Sequence, residues 1–160
     1  MRQQRWFPMA ALAAGLFAIN IVARLIVRFG FPDDDTAQNR ASIVMFAVLG
    51  LVLAAWAFRQ AQARRFTEWL PELVLGALGG MLLTVLIGPF ISGGTPFEDG
   101  AGAFFSQIWL YAGCSILGTA LGYWIAVLLG RDYRSRSLKA YEQAHAAKAR
   151  AAKPRRVVRR

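Results

Sequence analysis

Residues 108–130, IWLYAGCSILGTALGYWIAVLLG, contain no charged side chain and are long enough to cross a lipid bilayer as a helix. Three further apolar stretches precede them, at Trp6–Arg28, Ser42–Phe58 and Leu73–Ile91. A hydrocarbon core of about 30 Å requires roughly 20 helical residues. Backbone polar groups in lipid must bond within their own segment, so such stretches become helices. We therefore predict an all-α integral membrane bundle of four transmembrane helices.

The composition of the 160-residue chain agrees with this prediction, because 56% of its residues are hydrophobic. Most of the net charge of +10 lies near the C-terminus, where residues 131–160 carry eleven Lys or Arg against Asp132 and Glu142. We divide the chain into a four-helix transmembrane domain, residues 1–130, and a basic cytoplasmic tail, residues 131–160, that is partly helical and then disordered. The tail lacks the aromatic interleaving or the fold of a nucleic-acid-binding module, so we expect no nucleic-acid partner.

Charged residues between the apolar stretches predict the orientation of the helices. Arg2 and Arg5 precede the first helix, three arginines lie between the second and third, and the basic tail follows the fourth. The other two connections are acidic, with Asp33–Asp35 in one and Glu98 and Asp99 in the other. Short segments rich in Lys or Arg stay in the cytoplasm. We expect two antiparallel hairpins in the plasma (inner) membrane of a bacterium, with both termini cytoplasmic.

Small residues recur at four-residue spacing on the third and fourth predicted helices, and we call these two rows the glycine ridges. The third helix carries Gly76, Gly80, Thr84 and Gly88, and the fourth carries Cys114, Gly118, Gly122, Ala126 and Gly130. In lipid, such ridges let two helix backbones approach closely. A short connection makes these helices neighbours, so we expect their ridges to face each other. Alternatively, one ridge contacts another integral membrane subunit or a second copy of the chain.

The first helix carries the only charged side chains found within an apolar stretch. Asn20, Arg24 and Arg28 follow one another at four-residue spacing and therefore share one helix face. A guanidinium inside the bilayer is unfavourable unless it reaches the interface or is paired. Two interpretations stay open. The residues line a groove for an anionic head group or a partner's carboxylate, or the arginines pair with Asp33–Asp35 or Glu98.

A polar strip runs along the fourth helix, formed by Gln107, Tyr111, Ser115, Thr119 and Tyr123. The strip either lines a substrate path or supplies hydrogen bonds between helices. The second role is the commoner one, because serine and threonine hydroxyls usually bond back to the preceding helical turn.

The acidic and metal-binding residue types are not grouped as they are in a catalytic or metal site. Glu68 and Glu72 complement the dipole at the start of the third helix and lie too near its end for proton coupling. Asp33–Asp35 lacks the ligand spacing and glycine of a calcium loop, and His145 has no metal-ligand partner at suitable spacing. We predict no metal, no cofactor and no enzymatic activity.

Basic residues at the start of the tail are candidates for contact with anionic lipids of the cytoplasmic leaflet, namely Arg131, Arg134, Arg136 and Lys139. Each Lys or Arg near such a surface contributes about 1 kcal/mol of attraction. The alternative is docking on an acidic cytoplasmic protein.

Several features together resemble the small four-helix membrane proteins of high-GC Gram-positive bacteria. They are a first helix ending in Arg24 and Arg28, a cytoplasmic turn from Trp56 to Arg65, a glycine-rich third helix and a charged tail. Some such proteins are labelled half-size drug/metabolite-type transporters, and others resemble accessory subunits of mammalian-cell-entry-type lipid importers. The likeness covers hydropathy and loop lengths over residues 1–130. Small multidrug exporters also have four helices but depend on a glutamate in helix one, which is absent here.

These features favour a non-enzymatic accessory subunit of a larger membrane complex, such as a transport machine for lipids or other hydrophobic substrates. Its partners would be other integral membrane subunits. The alternative is a small oligomeric transporter or flippase for an anionic or amphipathic substrate, with Arg24 and the polar strip as its working parts.

Overall fold

The computed structural model describes residues 6–30, 35–95, 97 and 100–151, and almost all of these residues are helical. The helices are α1 (Trp6–Gly30), α2 (Asp35–Ala63), α3 (Phe66–Leu82), α4 (Gly88–Ser92), α5 (Gly100–Leu128) and α6 (Tyr133–Ala151), with a π-helical turn at Leu83–Ile87 between α3 and α4. Four segments are long and apolar enough to cross a membrane: Trp6–Gly30, Thr36–Ala63, Phe66–Ile91 and Gly100–Lys148. The prediction of an all-α fold with four such helices is confirmed.

The outside of the bundle is covered by large apolar side chains. Phe29, Trp109 and Leu128 are each more than three-quarters exposed, at 80%, 77% and 78%. Contiguous apolar surface of this kind is unfavourable in water and suited to lipid. Inside the bundle, Leu16, Leu53 and Trp69 are fully buried. The distribution is the one expected when hydrocarbon surrounds the helices.

The most extensive interfaces join alternate helices, α1 with α3 and α2 with α5, and the interface of α1 with α2 is smaller. Along α1 and α3 the contacts advance in the same direction, because Leu12 lies against Gly76 and Leu16 against Gly80. The two helices of this pair therefore run parallel. Consecutive helices therefore pack against each other less extensively than the predicted pair of antiparallel hairpins implies.

The second parallel pair brings backbone directly against backbone. Gly118 of α5 lies against Gly50 of α2, and Gly122 lies against Ala54 one turn further along. A Cβ atom placed on Gly118 would lie 2.8 Å from the Gly50 Cα, and one on Gly122 would lie 2.8 Å from the Ala54 Cα. Neither position has room for a larger side chain.

The prediction that the two glycine ridges face each other is therefore wrong. The ridge of the third helix receives leucines of α1, and the ridge of α5 receives the small residues of α2. The physical reason is that Gly50 and Ala54 leave this face of α2 without large side chains, so the backbone of α5 can lie directly against the backbone of α2. Of the last two members of the second ridge, Ala126 is buried within α5, whereas Gly130 lies beyond the end of α5 and has a positive φ of 59°.

The π-helical turn has a local cause in Pro89, the second residue of α4. Proline has no backbone N–H, and its ring clashes with the carbonyl four residues earlier in an α-helix. The turn widens the helix before this point, and the Gly88 N–H donates to the Leu83 carbonyl five residues earlier. Such turns often accompany functional sites. Here it lies beside the end of α1 that carries Arg24.

The tail begins with a capped helix that is separate from α5. Gly130 turns the chain, and the Asp132 carboxylate accepts a hydrogen bond from the Ser135 backbone N–H at 3.2 Å, which caps the first turn of α6. Hydrogen bonds from the Ser135 side chain and, to a lesser extent, from backbone N–H groups hold the pKa of Asp132 below its usual value. The remainder of the tail, which we predict to be disordered, lies outside the described residues.

Candidate functional site

A groove of about 770 Å³ lies between the helices at the end of the bundle opposite α6, and we call it the arginine groove. Four parts of the chain build it: the second half of α1, the first half of α2, the segment that follows α4, and the beginning of α5. Its polar lining consists of Asn20, Arg24, Arg28, Gln38, Asn39, Ser42, Thr95, Ser106 and Gln107. Its apolar lining includes Val27, Met45, Phe46, Pro89, Phe104 and Leu110. The groove is thus amphipathic.

The three residues predicted on one face of α1 all line this groove. The Arg24 Nε–H donates to the Asn20 Oδ1 at 3.1 Å, and the Asn20 Nδ2–H donates to the Met45 sulfur at 3.1 Å. Arg28 donates to the backbone carbonyl of Ile91. Asn20 is buried, so its side chain anchors Arg24 against the bundle and orients the guanidinium. The guanidinium groups therefore form a positioned wall of the groove.

Gly88 connects this polar site to the glycine ridge. A Cβ atom on Gly88 would lie 2.9 Å from the Asn20 Oδ1 and 3.0 Å from the Arg24 Nε. The last ridge position therefore makes room for the polar pair rather than for a helix backbone. The proposed partners Asp33, Asp34 and Glu98, and the side chain of Asp35, lie outside the described residues, so their pairing with the arginines stays a prediction.

The polar strip of α5 leads from the groove into the bundle. Gln107 lines the groove, whereas Tyr111 and Ser115 are buried further along. The Thr119 hydroxyl donates to the Ser115 carbonyl at 2.7 Å, as expected for a back-bonded threonine. Tyr123 packs on Phe66 and Trp69, with ring centroids 5.0 Å and 6.3 Å away.

Three buried hydroxyls lie along or beside this strip. Within the described part of the chain, those of Thr84, Tyr111 and Ser115 have no hydrogen-bond partner. Tyr111 packs against Gly80 of α3, and Thr84 lies in the π-helical turn one helical turn further along. Unpartnered buried hydroxyls are uncommon because each loses its hydrogen bonds to water.

A smaller pocket of about 400 Å³ lies at the opposite end of the bundle, and we call it the α6 pocket. Its lining consists of Ala61, Arg64, Arg65, Phe66, Thr67, Tyr123, Asp132, Tyr133, Arg134 and Ser137. Of the predicted tail contacts, only Arg134 lines it. Arg136 donates to the Gln62 carbonyl at 3.4 Å, Lys139 lies near Gly130, and Arg131 is exposed.

Near the start of α3, Arg64 forms a salt bridge of 3.1 Å with Glu72, two turns along the helix. No group of three His, Cys, Asp or Glu side chains suited to a metal ion occurs among the described residues. His145 instead packs on the Tyr141 ring, with centroids 4.2 Å apart.

Sequence reasoning missed the contribution of α2 to the arginine groove. Gln38, Asn39 and Ser42 line it, but the second apolar stretch begins only at Ser42, so its hydropathy does not predict a helix over the preceding residues. Gln38, Ser42 and Met45 recur at helical spacing, and this periodicity was the available signal. Four helices thus contribute to a site that one helix indicated.

Comparison of the chain with protein-family models, curated proteins and solved structures found no match. The class of the protein therefore follows from its own architecture. Its four apolar helices, together with the lipid-suited outer surface, are those of a multi-pass membrane protein.

Proposed function

We propose that the protein is a non-enzymatic membrane subunit that holds the anionic head group of a lipid or similar amphiphile in the arginine groove. In this proposal it serves a larger membrane complex that handles such molecules. The single observation that carries the proposal is the convergence of Arg24 and Arg28 on an amphipathic cavity built by all four membrane-length helices.

The dimensions and chemistry of the groove suit such a ligand. Its volume of about 770 Å³ falls within the range of small-molecule sites, roughly 300–1,000 Å³. Guanidinium groups bind phosphate and carboxylate in a bidentate manner and are more weakly hydrated than ammonium groups. The hydrogen bond from Arg24 to Asn20 positions one guanidinium before a ligand arrives, which lowers the entropic penalty of binding.

The charge distribution supports an orientation for this site. The end of the bundle that carries α6 holds Arg59, Arg64 and Arg65 in addition to the basic tail. At the groove end, Arg40 is the only basic residue between the apolar stretches. By the positive-inside rule, the α6 end faces the cytoplasm. The arginine groove then opens towards the outer face of the plasma (inner) membrane.

The glycine ridges lie inside the bundle and therefore do not support association with a larger complex. Neither ridge is left as a spare contact surface, because α1 and α2 occupy them. Partner subunits are supported by the short connections and by the exposed apolar surface of α5, which includes Trp109, Ile116 and Trp124 and which a partner would cover in place of lipid. A second copy of the chain would satisfy the same surface.

A small transporter or flippase is the second candidate, and the buried hydroxyls favour it. Thr84, Tyr111 and Ser115 lie between the arginine groove at one end and Tyr123, which lines the α6 pocket, at the other. A carrier would use such groups to replace hydration of a head group during passage. Substrate flux in liposomes containing only the purified protein would favour the carrier, and copurification with larger subunits in mild detergent would favour the accessory subunit.

Native mass spectrometry of the full-length protein with defined lipids tests the arginine groove directly. The double substitution Arg24→Gln with Arg28→Gln should weaken binding of phosphatidylglycerol at one site by about tenfold or more, since a charge-assisted hydrogen bond contributes roughly 1.5–3 kcal/mol. Arg40→Gln with Arg59→Gln removes the same charge from exposed positions of α2 outside the groove and should leave that site intact. Equal losses in both double variants would refute the proposal.

A further inference from the structure

The α6 pocket is a second candidate ligand site, separate from the arginine groove and built by other residues. The α2–α3 connection, the start of α3, the last turns of α5 and the start of α6 surround it. We propose that this pocket binds the phosphodiester of a hydroxylated anionic phospholipid, such as one with a glycerol or inositol head group, from the leaflet on the α6 side.

The level of the pocket along the bundle favours a lipid. Three membrane-length helices end or begin beside it: α2 ends at Ala63, α3 begins at Phe66 and α5 ends at Leu128. The apolar stretches of these helices end or begin nearby, at Phe58, Leu73 and Gly130, so the pocket lies near the boundary between hydrocarbon and head groups. The Phe66 and Tyr123 rings line the pocket with their centroids 5.0 Å apart, and aromatic residues are enriched at membrane interfaces. The pocket therefore lies where a phosphate group of the bilayer would be found.

The polar lining of the pocket is cationic and partly fixed in position. Arg64 is held by the Glu72 carboxylate at 3.1 Å, and the Arg65 guanidinium lies 5.9 Å from the centroid of the Tyr133 ring. Arg134 supplies a third guanidinium from the first turn of α6. Each guanidinium has five N–H donors, so Arg64 retains donors after its ion pair is formed. Together the three arginines can surround one phosphate.

Asp132 supplies the selectivity that we assign to this pocket. The residue is only 7% exposed. Its Oδ2 accepts a hydrogen bond from the Ser135 N–H, whereas its Oδ1 is buried and has no hydrogen-bond partner among the described residues. A buried carboxylate oxygen without a donor is unfavourable. A head-group hydroxyl would provide that donor, while the negative charge of Asp132 disfavours the extra charge of a phosphomonoester. A hydroxylated phosphodiester satisfies both the arginines and Asp132.

The test measures lipid binding to the full-length protein by native mass spectrometry, with phosphatidylglycerol, phosphatidic acid and inorganic phosphate as separate probes. Arg65→Gln with Arg134→Gln should weaken one phosphatidylglycerol site by about tenfold or more. Arg59→Gln with Lys148→Gln removes the same charge from exposed positions outside the pocket and should change this affinity less than about twofold. Equal weakening by the two double variants would overturn the site.

Asp132→Asn keeps a capping side chain while removing the charge, so α6 should still form. We expect this variant to lose its preference for phosphatidylglycerol over phosphatidic acid, and an unchanged preference would overturn the role of Asp132. Inorganic phosphate that displaces phosphatidylglycerol at millimolar concentration would identify a soluble phosphate as the ligand and overturn the assignment to lipid.

This inference fails or holds independently of the proposed function. Wild-type protein should show two phosphatidylglycerol sites of different residue dependence. The Arg65 and Arg134 substitutions remove one, and the Arg24 and Arg28 substitutions remove the other.

Discussion

The close contact between α2 and α5 predicts that a single added methyl group will destabilise the protein. In Gly118→Ala, the new Cβ would lie 2.8 Å from the Gly50 Cα, whereas ordinary contacts begin near 3.4 Å. The Gly50 carbonyl oxygen would lie nearer still; both atoms are backbone, so no side chain can rotate away and the two helices must separate locally. Overpacking of this kind typically destabilises a protein by about 1–3 kcal/mol. We expect Gly118→Ala to lower the free energy of unfolding by that amount.

Gly113 provides a matched control on the same helix. A Cβ atom placed there meets nothing within 4 Å, so Gly113→Ala introduces the same methyl group without a contact. Alanine is the better helix former by about 1 kcal/mol, so this variant should be neutral or slightly more stable. The assay is reversible unfolding of purified protein in mixed micelles, followed by circular dichroism. Equal stability of the two variants would refute the close approach of α2 and α5.

Two further predictions concern the ends of the bundle. Gly88→Ala should weaken phosphatidylglycerol binding at the arginine groove several-fold, because its Cβ displaces the Arg24 and Asn20 side chains. Gly102→Ala is the control, since a Cβ atom there meets nothing within 4 Å. Equal affinity of the two variants in native mass spectrometry would contradict the role of Gly88. Asp132→Ala should destabilise the first turn of α6 by about 1 kcal/mol through loss of its cap, measured by amide hydrogen exchange. The pKa of Asp132 in the folded protein is depressed, so the stabilisation by its carboxylate is present above the unfolded pKa of about 3.9 and is lost as the pH falls through the folded-state pKa. A difference in amide exchange between wild type and Asp132→Ala that persists undiminished well below that pH would contradict this linkage.

The existence of four membrane-length helices could be predicted because hydropathy acts locally. Residues 108–130 have no charged side chain, and lipid leaves their backbone no alternative to a helix. The spacing of Asn20, Arg24 and Arg28 likewise placed all three on one face, and the structure aims that face into a groove. The first result depends on the apolar length of each segment and the second on periodicity, and both are properties of a single helix.

The pairing of the helices could not be predicted in this way. Gly76 and Gly118 both offer close approach, but a glycine does not specify which neighbour will use it. The choice depends on the complementary surface, which is Leu12 and Leu16 for one ridge and Gly50 and Ala54 for the other. Short connections favoured consecutive helices as neighbours, yet this steric fit places alternate helices together. The contribution of Gln38 to the groove was missed for a related reason, since α2 extends beyond its apolar stretch.

The arginine groove and the α6 pocket should lie at opposite faces of the membrane, and cysteine labelling tests this arrangement. Single cysteines at the exposed positions Thr95 and Ser137, introduced as Thr95→Cys and Ser137→Cys with Cys114→Ala, would be treated in intact cells with a membrane-impermeant maleimide. We expect labelling of the cysteine at position 95 before lysis and of the one at position 137 only after lysis. Labelling of both positions in intact cells, or the reverse pattern, would contradict it.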